Sequence, residues 1–398
     1  MQTNNFKLIF LLLYVVYSGH VFASQVSINS AKEPKIITLF DLEPKKIVST
    51  NTMPKEIPTK DIVQKEISKQ TSMTKQEIKP SFTKTEPKQS VSDTKNETIG
   101  FVFASNNTGK YGLEASNVAM TYFLNKNAKF NIEFFDIELE NKQNITTIFD
   151  TLKQKGIKKV IALVTNSSLW ALNSYPEISK FELYLPLVNK SMMPNAKSNF
   201  VFGGIDYKKQ LNFLALKASS NVVEIYDDSA ISIRLHNELV ALNTPNLTHV
   251  QITGKIPDYK ILIASSEQIK NSSVILNTSI VKSAIVLSHL RENNIVPREI
   301  LSSQLNYSPV IFNITGDEDR TNLFVVNSIG TLPRDLEELI SFFGNDALFS
   351  WVNYSVVLGL EYFATGKTKL FGNTSIKGNQ VDYGIKKIGF NGSRFVDL

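Results

Sequence analysis

The stretch Ile99-Gly-Phe-Val-Phe-Ala-Ser-Asn-Asn-Thr-Gly-Lys-Tyr-Gly112 decides how the rest of the chain is read. It belongs to an apolar run, Thr98–Ala104, whose length and content of Ile, Val and Phe suit a strand buried on both faces. Ser105, Asn106, Asn107, Thr108 and Gly109 break that run. From Gly112 to Asn127 the apolar residues Leu113, Ala115, Val118, Ala119, Tyr122 and Phe123 recur at three-to-four spacing, which places them on one side of a helix. Strand, polar turn and helix in that order open a βαβ unit.

The same alternation continues to the C-terminus. Further strands are expected at Phe130–Ile137, Lys159–Val164, Glu182–Leu187, Asn199–Phe202, Val222–Tyr226, Val250–Thr253, Val274–Asn277, Ile300–Ser303 and Phe324–Ser328. Helical patterns lie between them, at Ile145–Gln154, Tyr207–Ala218, Ser229–Leu242, Tyr259–Lys270 and Ile280–Asn293, and follow at Leu336–Phe343 and Trp351–Ala364. Such alternation implies α/β architecture, a parallel sheet with helices on both faces. Roughly 300 residues exceed one core of this kind, so two doubly wound lobes are expected.

The first part of the chain differs in character. The apolar run Leu8–Tyr17 follows Lys7 and precedes Val21-Phe22-Ala23, a small-x-small cleavage signal. A membrane span needs roughly 20 apolar residues, about twice this run. Residues 1–23 therefore read as a signal peptide cleaved after Ala23, with retention as an inner-membrane anchor the alternative. Residues 24–97 are rich in Lys, Glu, Thr, Ser and Pro, lack glycine, and repeat Glu-Pro-Lys at Glu33, Glu43 and Glu86. A stretch this poor in apolar residues is expected to be a disordered linker, either a solvated tail or an arm for a membrane-bound or cell-wall partner. The chain has no cysteine, which excludes disulfides, thiolate metal sites and a lipidated N-terminus. Its formal charge of +6 is spread over 398 residues without a basic stripe, so nucleic acid is not expected as a partner. These features together predict export to a bacterial periplasm.

Four segments carry a resemblance. Residues 99–112 resemble the first strand and loop of type I periplasmic binding proteins. Asn221-Val-Val-Glu-Ile-Tyr-Asp-Asp228 is similar to the strand that opens that family's second lobe and ends at an acidic hinge residue. Trp351-Val-Asn-Tyr-Ser-Val-Val-Leu-Gly-Leu-Glu-Tyr-Phe-Ala364 resembles its late helix, and Gly389-Phe-Asn-Gly-Ser-Arg-Phe395 its closing hairpin. The resemblance covers residues 98–398. It implies lobe 1 at about 98–202 and 302–366, lobe 2 at about 203–301 and 367–398, and crossover strands between them.

Ligands of open parallel sheets sit beyond the carboxyl ends of the strands, where helix N-termini offer free amides. Here those loops carry Ser105, Asn106, Asn166, Ser167, Ser168, Asn189, Asp227, Thr278 and Gln304, nearly all neutral hydrogen-bonding residues. They suit a small polar solute, and they equally suit helix capping. What the family implies is hinge closure of two lobes on that solute. The same fold also serves as a docking body in lipoprotein activators of penicillin-binding proteins, which makes a non-catalytic envelope scaffold the alternative. Where amino-acid-binding members place an aromatic clamp and a carboxylate for the ligand ammonium, this sequence has Ile231 and Gln304. Free amino acids are thereby disfavoured, because a buried ammonium would lack its charge partner.

No catalytic residue, cofactor or metal is expected. The histidines beyond the signal segment, His236, His249 and His289, lie on separate segments without zinc-ligand spacing. Gly359 and Gly366-Lys367-Thr368 are too far apart for a phosphate loop, and Asp317-Glu318-Asp319 lacks a calcium loop's glycine and terminal Glu.

Overall fold

The computed structural model describes residues 97–398, except 127–129, 219–220, 255–257, 367, 369–370 and 373, together with residues 26–30 and 35–37. The signal segment and the remainder of the linker stretch lie outside the described residues.

Two sheets form the frame. The first runs β13-β14-β7-β6-β5-β3-β4-β1-β2. In chain order its strands are β1 (Val26–Ser30), β2 (Lys35–Ile37), β3 (Glu97–Phe103), β4 (Phe130–Asp136), β5 (Lys159–Leu163), β6 (Glu182–Leu185), β7 (Phe200–Phe202), β13 (Ser375–Lys377) and β14 (Gln380–Asp382). The second runs β16-β15-β12-β11-β10-β8-β9. Its members are β8 (Val222–Asp227), β9 (Leu247–Ile252), β10 (Ser273–Asn277), β11 (Glu299–Ser302), β12 (Leu323–Asn327), β15 (Lys386–Asn391) and β16 (Arg394–Asp397). Pairing is parallel through the middle of both sheets, and antiparallel at β1–β2, β13–β14, β12–β15 and β15–β16. The expected α/β architecture of two mostly parallel sheets is what forms.

The opening stretch behaves as its composition demands. β3 lies between β4 and β5, and Gly100, Phe101, Val102 and Phe103 are all buried. Helix α1 (Lys110–Asn125) then buries Ala115, Val118, Ala119 and Tyr122, which share one face. The other long helices are α2 (Lys142–Gln154), α3 (Tyr207–Lys217), α4 (Ala230–Val240), α5 (Ile280–Glu292), α6 (Arg334–Phe342) and α7 (Trp351–Thr365). Helix α7 is apolar on nearly all sides and correspondingly buried from Val352 to Glu361. Ser350 accepts a hydrogen bond from Asn353 N at its start, and Gly366 ends it in the left-handed conformation at φ 68°.

The lobe boundaries differ from those expected. β12 belongs to the second sheet, so lobe 2 continues to Asn327 rather than ending near residue 301. β13 and β14 extend the first sheet through β7, so residues 375–382 belong to lobe 1 and not lobe 2. Within the 24–97 stretch, β1 runs parallel on the free edge of β4, pairing Ile28 with Phe134. A parallel edge strand otherwise exposes a row of unpaired backbone groups, which an added strand satisfies.

Candidate functional site

Chain connectivity defines the junction between the lobes. The chain leaves lobe 1 at the carboxyl end of β7 and enters lobe 2 through α3; it leaves lobe 2 at the carboxyl end of β12 and returns through α6. A third crossing joins β14 to β15. Since the first two crossings start from strand carboxyl ends, the carboxyl edges of both sheets adjoin the interlobe junction. Aromatic side chains gather there. Tyr207, at the start of α3, is buried beneath the Arg234 guanidinium, whose carbon lies 5.9 Å from the ring centroid. Burial pushes the Tyr207 hydroxyl well above its ordinary range, against the opposing pull of Arg234 and, more weakly, of the Trp351 side chain of α7.

In lobe 1, Ser105 N donates to Asp136 Oδ1 (3.1 Å) and Asn106 N to Glu138 O (3.0 Å). Asn166, Ser167 and Ser168 form a short turn after β5. Ser167 Oγ donates to Glu140 Oε2, whose carboxylate also receives Thr165 N at 2.7 Å, while Ser168 is fully buried. Asn189 accepts from Ser191 N (2.9 Å) and donates to Gly204 O (3.3 Å), at the start of the first crossing.

In lobe 2 the expected residues are engaged within their own lobe or with the crossing. Asp227 accepts from Ser229 N (2.7 Å) and Ser279 N (3.4 Å), with Lys282 Nζ at 3.5 Å. Thr278 Oγ1 bonds Ser283 Oγ (2.8 Å). Gln304 is held on all sides: its N–H donates to Gln210 Oε1 (2.9 Å), its Nε2 to Asn327 Oδ1 (3.0 Å), and its Oε1 accepts Ser328 N (2.6 Å). Thus Thr278 and Asp227 meet through the loop at 278–279, whereas none of these hydrogen bonds joins a nominated residue of lobe 1 to one of lobe 2. Asp228, beside them, is exposed. Hydrogen bonds from Lys282 and from Gly254 N hold its carboxyl below the usual carboxylate range.

Two cavities lie close to the crossings. One, of about 190 Å³, is lined by Asp206, Lys209, Ser328, Gln380, Asp382 and Tyr383, residues contributed by all three crossings and their flanks. The other, of about 410 Å³, is a groove between Met192 of lobe 1 and Lys208, Ile233, Arg234 and Glu238 of α3 and α4. None of the residues nominated from sequence lines either. In the first cavity Lys377 and Lys209 bond Asp382 at 2.7 and 2.9 Å and hold its carboxyl below the usual range. A depressed carboxyl stabilises the fold above about pH 4, and that contribution fades as pH falls through its folded value. Asp382→Asn should therefore cost more stability at pH 7 than at pH 3, read from urea midpoints. An equal cost at both values contradicts the assignment.

One constellation was not expected. Glu224 of β8, His236 of α4 and His249 of β9 bring their ligating atoms within 4.8 Å of one another. Spacing along the chain does not announce it, because it depends on the register that pairs Glu224 with His249 across β8 and β9.

No protein-family model and no curated protein matches the chain. Solved structures do. A branched-chain amino acid ABC transporter protein from Rhodospirillum rubrum superposes with a TM-score of 0.60 at 10% identity, covering 76% of this chain and 99% of that one. The fold is that of the type I periplasmic binding proteins. The LpoA C-domain from Haemophilus influenzae, a regulator of PBP1A, shares it with a TM-score of 0.54 at 14% identity, over 76% of this chain and all of that one (100%). So does an ABC-transporter solute-binding protein from Rhodopseudomonas palustris in complex with 3,4-dihydroxybenzoic acid, with a TM-score of 0.55, 10% identity and coverage of 76% and 96%. Among the described residues no helix is long and apolar enough to cross a membrane.

Proposed function

We propose that this chain is a non-catalytic binding protein of the bacterial periplasm whose lobes close on a small polar solute. The observation that carries the reading is connectivity: both helical crossings start at strand carboxyl ends, so two sets of polar loops adjoin one hinged junction. Ser105, Asn106, Asn166, Ser167, Ser168 and Asn189 are the lobe 1 contacts in this reading, with Asp227, Thr278 and Gln304 opposite. The hydrogen bonds already made by the lobe 2 residues mean that closure exchanges partners instead of filling empty valences. No cofactor is required.

Asn106 offers the cleanest test, because its side chain is exposed and its own N–H is already engaged by Glu138 O. Thermal-shift screening of neutral polar solutes should find one that raises the unfolding temperature. Asn106→Ala should leave the free protein within about 0.5 kcal/mol of the parent. It should weaken that solute roughly tenfold, the worth of one good hydrogen bond. Unchanged affinity removes Asn106 from the site.

A second reading, a docking body for a cell-wall synthase, draws on a different observation. At the lobe 1 carboxyl edge Trp170, on the short helix Leu169–Ser174 that follows β5, is 67% exposed, and Leu139, in the loop after β4, is 51% exposed. The Trp170 ring lies 5.5 Å from Lys142 Nζ, an aromatic–cation pair typical of contact surfaces. Under this reading Trp170→Ser abolishes binding to a purified synthase and leaves the thermal response to solutes unchanged.

A further inference from the structure

We propose that Glu224, His236 and His249 form a binding site for a single divalent transition-metal ion, zinc being the probe of choice, on the flank of lobe 2. The proposal is independent of the solute reading. The Glu224 side chain is fully buried, yet its Oε2 faces two imidazoles, with His236 Nδ1 at 2.7 Å and His249 Nδ1 at 2.8 Å. Two imidazole nitrogens converging on one carboxylate oxygen give a mixed nitrogen and oxygen donor set of the kind that takes zinc with a fourth, open position.

Surrounding groups hold the donors in place. Asn277 Nδ2 donates to the other carboxylate oxygen, Oε1, at 2.7 Å and fixes the carboxylate plane. Tyr226 stacks on His236 with centroids 4.0 Å apart and planes 6° from parallel, and meets His249 edge-on at 87°. The two imidazoles are themselves nearly perpendicular, at 81° with centroids 4.8 Å apart. Solvent reaches the cluster from the histidine side, where the side chains of His236 and His249 are 20% and 34% exposed. An ion therefore has a path in, and water has a route to the fourth position.

Metal–ligand lengths of about 2.0–2.1 Å place tetrahedral donors roughly 3.3 Å apart, so loading requires the two histidines to swing outward by about half an ångström. Both are at the partly exposed side, where such movement is least opposed. The ion would displace protons from the donors, and it would tie three elements together: strand β8, the edge strand β9 beside it, and helix α4. The buried Glu224 side chain gains a cationic partner in this way.

The experiment uses the mature chain, carrying no histidine tag, stripped with a chelator and titrated with zinc against a fluorescent zinc indicator. One ion per chain is expected. His249→Ala and Glu224→Gln should weaken binding on the order of 100-fold or more, while His289→Ala binds as the parent does. Zinc should raise the unfolding temperature of the parent and of His289→Ala, and leave that of His249→Ala unmoved. If Glu224→Gln fails to fold, His249→Ala alone carries the test, since His249 sits exposed on an edge strand. Absence of stoichiometric binding, or binding that survives His249→Ala, overturns the site and leaves a hydrogen-bonded histidine–carboxylate cluster.

Discussion

Tyr184→Ala is expected to lower the unfolding free energy by about 3–5 kcal/mol, the range for removing a large buried aromatic ring. Tyr184 stands on β6 with no exposed surface, and its ring is roofed by Gly359 of α7. A Cβ at Gly359 would lie 2.5 Å from the ring, which shows how closely the helix seats on the sheet. The Phe363 ring closes one side at 6.5 Å and 75°, and the hydroxyl bonds Ser355 Oγ at 3.1 Å. Helix and sheet are both held by other contacts, so neither can collapse fully into the space left behind. Urea unfolding monitored by circular dichroism should show the loss as a lower midpoint at unchanged slope. A loss under about 1 kcal/mol would mean that α7 settles onto the strand instead of leaving a cavity.

The second large effect belongs to the first crossing. Gly204 lies against the backbone of Val188 and Asn189, and a Cβ placed there would meet Val188 C at 2.5 Å and Asn189 N at 2.8 Å. Both obstacles are main chain and cannot rotate away. Gly204 N donates to Val188 O at 2.9 Å, and its carbonyl accepts from Asn189 and from Gln380 Nε2 at 3.1 Å. Gly204→Ala must therefore push the crossing off the loop that it braces. Overpacking of this kind costs roughly 1–3 kcal/mol, and a purely main-chain clash belongs at the upper end. Gly384, in the third crossing, is the control: nothing lies within 4 Å of its would-be Cβ and its φ is not positive. Gly384→Ala should be neutral, or stabilising by about 0.4–1 kcal/mol through the unfolded chain. Equal effects at the two glycines would contradict the close approach at Gly204.

The parts of the fold that could be read from sequence were those with local signatures. β3, β5, β8 and β10 are short apolar runs, and α1 and α7 carry their pattern in adjacent residues, so each fell where periodicity placed it. The lobe boundaries did not, because they depend on which sheet a strand joins. Nothing within Phe324–Ser328 says that β12 pairs with β11 and β15. β1 was hidden for a related reason: Val26-Ser-Ile-Asn-Ser30 alternates in a strand-like way, but the Lys, Glu and Pro around it dominate the composition. The segment expected as one helix at Tyr259–Lys270 is two short ones, Lys260–Ala264 and Ser266–Ile269, hinged at Ser265.

The candidate site divides the same way. Polar residues after each strand could be nominated because carboxyl edges are functional in any open parallel sheet. Their hydrogen-bond state could not, since Gln304 finds Gln210 94 positions away in the chain. The metal cluster needed still more. Glu224 and His249 meet only through strand register, and His236 joins them only because α4 folds back over that face.

Closure of the lobes on a solute is tested most directly at Trp351, which packs against the core cluster that contains Tyr207 and is one of only two tryptophans in the chain. In a Trp170→Phe background it is the sole indole reporter. Titrating neutral polar solutes into that protein should give, for at least one of them, a saturable change in Trp351 emission. The same solute should raise the unfolding temperature. A solute set that moves neither signal would contradict closure as the mode of action.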